Sequence, residues 1–134
     1  IMLQQTQVKT VIPYFKKWMK KYPTLKSLRN AEYDKVIKMW EGLGHYSRCK
    51  NMHKATQLIK SSFPNNYKDL RKLPGIGDYT AKAILSIAFK KSYVAIDTNL
   101  ERIGYRVLGL KSKTNRNQRR VIKFLENNQD IYYN

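Results

Sequence analysis

The 134-residue chain is about the size of one ordinary domain and is long enough to bury a core. Its 27 Lys and Arg against 9 Asp and Glu leave a formal charge of +18, which favours a polyanionic partner, nucleic acid ahead of an anionic membrane surface. One cysteine, Cys49, excludes a disulfide framework and by itself a zinc or cluster site; these residues hold neither a membrane-length apolar run nor a secretory-leader pattern, so a reducing, intracellular setting is the expectation.

Helical periodicity dominates the chain, with no alternating strand and no fixed repeat, so the reading is an all-α, compact multi-helix domain without a linker. The opening IMLQQTQV is already amphipathic and the closing NNQDIYYN ends without completing an element, which predicts a chain cut at both ends. Leu3, Val8, Val11, Ile12, Phe15, Trp18 and Met19 form one broad apolar stripe, interrupted by Pro13, which should bend the helix or mark its restart. Trp18 and Trp40 sit on apolar faces and read as core. Thr24 is suited to cap a short helix through Leu28, and Glu32 or Asp34 opens another that ends at EGLGHY, where Gly42 and Gly44 permit a tight turn. A helix from Ser47 through Met52, Ala55, Leu58 and Ile59 leads to the SFPNN loop. His53 reads as a surface or half-buried histidine, and Cys49 as a small side chain near a helix surface.

LPGIGDYTA, residues 73 to 81, follows, and a helix from Thr80 to Phe89 comes after it. Glycines at 75 and 77 can take dihedrals that other residues resist, and without side chains they let a phosphate approach backbone N–H groups at a helix start. Such a turn reads no sequence but grips a nucleic-acid backbone and fixes register. Asp97 is placed to cap the helix TNLERIGYRVLG, and after a polar loop from Lys111 to Asn117 a last helix carries Val121, Ile122, Phe124 and Leu125. KKWMKKY and KSKTNRNQRR are charge runs of the kind that usually coat solvated faces; Arg48 and Lys50 are better placed for phosphate.

LPGIGDYTAKAIL, followed seventeen residues after Tyr79 by IDTNLERI, resembles the helix-hairpin-helix and aspartate of the DNA glycosylase superfamily (HhH-GPD). With MLQQTQVKTVIPYF and WEGLGHYSRCKNMHKA in the same order, the resemblance covers nearly the whole chain and is greatest to adenine DNA glycosylases of the MutY type. It implies base excision repair, by removal of adenine mispaired with guanine or 8-oxoguanine. The hairpin unit spans about residues 66 to 90, and the partner is double-stranded DNA with mispaired adenine, bound by a monomer without a membrane.

The resemblance also implies roles. Tyr79 stands where a lysine forms a Schiff base with the sugar in endonuclease III relatives, and a tyrosine cannot do so; the enzyme is therefore expected to be a monofunctional hydrolase. Asp97 matches the aspartate that stabilises positive charge on the sugar, a role compatible with its being a cap. Gln4, Gln5 and Thr6 are implied at the DNA with Gln5 inserting, His45 as a stacking wedge where tyrosine is usual, and Gly75, Gly77, Thr80 and Asn99 as further DNA-binding positions. Thr98 stands where glycine is common. The protonating glutamate is implied immediately before Ile1, so these residues alone are expected to be inactive. A four-cysteine [4Fe-4S] cluster is implied beyond the last residue, with no ligand in this chain. Two alternatives stay open, a mismatch glycosylase acting on thymine opposite guanine and a non-catalytic DNA-binding module.

Overall fold

Side-chain capping closes the first turn of four of the eight α-helices among the described residues. In the computed structural model, which describes residues 1–128, the helices are α1 (Val8–Lys21), α2 (Leu25–Arg29), α3 (Tyr33–Trp40), α4 (Tyr46–Leu58), α5 (Tyr67–Leu70), α6 (Asp78–Ala83), α7 (Thr98–Val107) and α8 (Asn115–Asn127). A π-helical turn, Ile84–Ala88, continues α6, and no strand occurs among the described residues. Thr24, Asn66, Asp97 and Thr114 each accept a hydrogen bond from the backbone N–H three residues on, which satisfies an amide the helix itself leaves orphaned. Thr24 and Ser27 do so reciprocally, at 3.0 and 3.1 Å.

The all-helical expectation holds. The described residues divide into two compact units, one of residues 1–64 and 72–75, the other of residues 65–71 and 76 onward. The last residues of NNQDIYYN lie outside the described residues.

In the first unit Trp18, Val36 and Trp40 anchor a core to which Met2, Leu28, Leu43 and Cys49 contribute. Trp40 meets Trp18 edge-on at 5.8 Å, and Tyr22 packs on Trp18 at 5.2 Å. Cys49 is fully buried rather than near the surface, because the Trp40 packing takes α4 inward. Pro13 does not restart α1, which runs through it. The α1 stripe is only partly used: Val11 and Trp18 are buried, whereas Val8, Ile12, Phe15 and Met19 stay exposed along a groove of about 610 Å³.

In the second unit α7 and α8 pack through Tyr105, Val121 and Leu125, with Leu100, Leu108 and Phe124 at the edge. Gly104 makes this approach possible. A Cβ there would lie 2.5 Å from Val121 Cγ1, and Val121 is fully buried. Alanine would gain about 1 kcal/mol of helix propensity, but overpacking a closed core costs about 1–3 kcal/mol. Gly104→Ala is therefore expected to lower the thermal unfolding midpoint, and an unchanged or raised midpoint would refute the close packing.

Candidate nucleic-acid interface

The first unit presents its candidate residues on two irregular segments, and one guanidinium holds both. Arg48, near the start of α4, is 7% exposed; its Nη1 donates to the carbonyls of Met2, at 2.9 Å, and Gln4, and its Nη2 to Leu43 and Gly44, at 3.2 and 3.3 Å. The group also lies 5.4 Å over the Trp40 ring, whose Nε1 donates to Gly44 O. Arg48 is thus not the phosphate contact expected of it: its charge is spent on backbone carbonyls, among them those of Met2 and Leu43 in buried surroundings. Periodicity held the signal, since Arg48, Met52, Ala55 and Ile59 share one helical face, and Ala55 and Ile59 are buried.

Each clamped segment carries one non-glycine residue in the left-handed region, Gln5 at φ 57° and His45 at φ 47°. Both are exposed. Arg48 holds the carbonyl directly before each of these residues, Gln4 O and Gly44 O, which keeps two polar side chains at the surface on otherwise unfavourable backbone. Gln4 donates from Nε2 to Gly75 O at 3.2 Å, and Thr6 donates to Gln4 O. Gly75 itself has φ +78°, and a Cβ there would meet Asn51 Cβ at 3.0 Å, so glycine is required by both backbone and space. Lys50 and Tyr46 are exposed beside His45.

The second unit takes up the turn at Ile76. Arg71 Nη1 donates to Ile76 O at 3.0 Å, and Gly77 caps α6 with extended backbone, φ −80° and ψ −179°, and no side-chain cap bond. Gly77 therefore does not need glycine for its dihedrals, contrary to expectation. Nor does the interior exclude a side chain, because a Cβ would meet nothing closer than Arg71 Nη1 at 3.9 Å. What glycine leaves at 77 is open space outside the turn.

Tyr79, on the first turn of α6, is exposed, and Thr80 is half-buried. Asp97 is exposed and caps α7 by accepting from Leu100 N–H at 2.7 Å, while Asn99 accepts from Arg102 at 2.8 Å. Asp78, Lys82, Asp97, Thr98 and Glu101 line one polar cavity of about 220 Å³. The Asp78 carboxylate accepts from Tyr67 Oη at 2.5 Å and pairs with Lys82 at 3.4 Å. Burial acts to raise its pKa, but the Tyr67 bond and the Lys82 and Arg71 charges outweigh this and hold it below its ordinary value. Tyr67 was not singled out by sequence; its partner lies eleven residues on in a separate helix. On α8, Arg116, Arg119, Arg120 and Lys123 share the face opposite buried Val121 and Leu125.

Against this geometry the comparisons are specific. The model of the HhH-GPD superfamily base excision DNA repair proteins matches residues 1–127. The chain belongs to the HhH-GPD superfamily. It is 39% identical over 137 aligned positions to an adenine DNA glycosylase of Buchnera aphidicola subsp. Baizongia pistaciae, covering 99% of this chain and 39% of that protein. It is 46% identical over 118 positions to the adenine DNA glycosylase of Schizosaccharomyces pombe, covering 84% of this chain and 26% of that one. The chain thus spans well under half the length of these curated relatives. Its fold is that of a non-covalent endonuclease III–DNA complex, with a TM-score of 0.82 over 98% of this chain and 65% of that one at 21% identity.

A [4Fe-4S] cluster finds no fit here. Among the described residues no three His, Cys, Asp or Glu side chains are placed to hold a metal, and burial pushes the Cys49 thiol up to about 11.

Two outcomes are expected. Arg48→Lys supplies a point charge in place of a planar fork and leaves buried carbonyls unpaired, at a cost of about 1–3 kcal/mol in chemical denaturation; a cost near zero would refute the clamp. Asp78 is held below its unfolded pKa, so its stabilising contribution is present above that unfolded value and is lost as pH falls through the folded one. The unfolding midpoint of Asp78→Asn should accordingly fall less than that of the unaltered protein below about pH 4, and parallel acid limbs would refute the Asp78 contribution.

Proposed function

We propose that this chain is the DNA-gripping and sugar-facing part of a monofunctional adenine DNA glycosylase, which hydrolyses the N-glycosidic bond of adenine mispaired with guanine or 8-oxoguanine. The observation that carries the reading is the similarity of 99% of the chain to an adenine DNA glycosylase at 39% identity. It is also what favours adenine over thymine opposite guanine, and an enzyme over a module without chemistry.

The geometry supplies the means. Gly77 leaves the start of α6 open, so a phosphate can approach amides that no side chain caps. Gln5 and His45, held out on strained backbone, are suited to fill the space left when a base is extruded from the duplex. Asp97 keeps its carboxylate fixed by the Leu100 amide and exposed at the cavity, where it can face positive charge developing on the sugar. Tyr79 carries no amine, so hydrolysis leaves an abasic site without a Schiff-base route to strand cleavage. The glutamate and the iron–sulfur cluster implied by the resemblance enter no step derived from this chain. In this reading the protein works as a monomer where the DNA is, in the nucleoid of a bacterium or the nucleus or mitochondrion of a eukaryote.

The test uses the full-length protein on duplexes with A opposite G, A opposite 8-oxoguanine and T opposite G, scoring strand breaks after alkali. Adenine release without breaks before alkali is expected, and release of thymine alone would overturn the assignment. Asp97→Asn should reduce release by about 100-fold or more while stability holds, because asparagine caps a helix about as well as aspartate; release at the unaltered rate would remove Asp97 from the chemistry. Gly77→Ala fits the folded turn, so it should weaken duplex binding without moving the unfolding midpoint, and unchanged binding would refute the close approach at this turn.

A further inference from the structure

We propose that the arginine face of α8 is a second contact to the DNA backbone, one that holds duplex outside the cavity at Asp97. The inference rests on the DNA-binding reading above and adds to it a surface that neither motif nor resemblance identifies.

As sequence, KSKTNRNQRR is a charge run no different in kind from KKWMKKY. The fold separates them. In α1, α2, α3, α6 and α7 the last turn holds Lys or Arg, where the negative end of the helix favours a cation. α8 reverses this. It has no base in its last turn and no acid in its first, and Arg116 is its second residue, at the positive end. Arg119, Arg120 and Lys123 follow at spacings of three and four, so each cation stands beside another on the helix surface and opposes the helix again.

Nothing among the described residues compensates. All four side chains are exposed, and none has a hydrogen bond or ion pair there. Glu126, the only acid in α8, is paired with Lys82 at 3.7 Å instead. Earlier arginines are used otherwise: Arg29 donates to the carbonyls of Thr56 and Ile59, Arg48 to its four, and Arg71 to Ile76. On α8 three planar forks share one face and lack an acceptor, so the acceptor they suit is an oxyanion from outside. From Arg116 to Lys123 the helix rises about 10 Å, a length over which one strand of a duplex carries about three phosphates.

The face is held in place. Thr114 caps α8, and Asn117 donates back to Ser112 O at 2.9 Å, which ties the preceding loop to the first turn. Gln118 and Ile122, which line the polar cavity with Asp97, lie about a third of a turn round α8 from the arginines. DNA against the arginines is therefore outside that cavity, and a backbone contact of this kind reads no sequence.

The experiment measures binding of the full-length protein to a fully matched duplex as a function of salt. Arg116→Gln, Arg119→Gln, Arg120→Gln and Lys123→Gln are combined, because glutamine matches both cations in helix propensity. Binding should weaken about tenfold or more at low salt, the slope of log K against log salt should shrink by about two to four, and the unfolding midpoint should hold or rise. The control removes the same charge from α1 with Lys16→Gln, Lys17→Gln, Lys20→Gln and Lys21→Gln, and should change affinity by less than about threefold. An equal loss in both variants would show that net charge alone acts, and an unaltered slope in the α8 variant would show that these side chains meet no phosphate; either overturns the proposal. So does a lowered midpoint in the α8 variant, which would assign the face to the fold. Weaker binding to phosphatidylserine vesicles with duplex binding intact would assign it to a membrane and overturn the proposal as well. Failure of the unaltered protein to bind any duplex would overturn the DNA-binding reading itself, a result distinct from these.

Discussion

A guanidinium removed from water and surrounded by carbonyls is the constraint on which the first unit depends. Arg48 brings two fixed forks of donors to four backbone acceptors, two from the segment before α1 and two from the turn before α4. Neither segment has a ladder or a helix of its own to satisfy those carbonyls. An arginine is suited to this because its donors are planar, rigid and permanently charged. Burial acts to lower its pKa, and the carbonyls together with the Trp40 face offset the lost hydration. A residue that reads as a surface cation thus organises the surface without meeting it, and the side chains left facing outward are Gln5 and His45.

The second unit differs in how its helices begin. Four other helices close their first turns with Thr, Asn or Asp side chains, whereas α6 begins at a glycine and leaves that turn uncapped. The open start sacrifices a cap, which typically contributes about 1 kcal/mol. Asp78 recovers part of this through the helix dipole, and Tyr67 and Lys82 decide where its charge lies. At α7 the arrangement is reversed. Asp97 is a cap and an exposed carboxylate at once, so the bond that orders the helix also orients the group.

Much of this was legible without coordinates because it is local. Caps at Thr24 and Asp97, the turn at Gly42 and Gly44, and the amphipathic faces of α3, α7 and α8 depend on residues within one or two turns of one another. What was misread involved a partner distant in sequence or a space rather than a residue. Arg48 reaches back 46 residues to Met2, and a cation beside a suspected binding loop looks the same whether it turns outward or inward. Gly77 follows the same pattern as Gly75, yet only Gly75 has left-handed backbone; the open space beside Gly77 exists only once Arg71 has placed the turn.

The sequence by itself determined the helical class, the order and approximate limits of the longer helices, the family, and the chemical types at the turn, the cap and the hairpin. Those follow from periodicity, capping chemistry and the spacing of the motifs, which are properties of neighbouring residues. Only the tertiary structure decided which cations are buried and which face solvent, that the contacts fall into two units, and that Tyr67 answers the charge of Asp78. The reason is that desolvation and long-range hydrogen bonding depend on what surrounds a group in space, and no window along the chain contains that information.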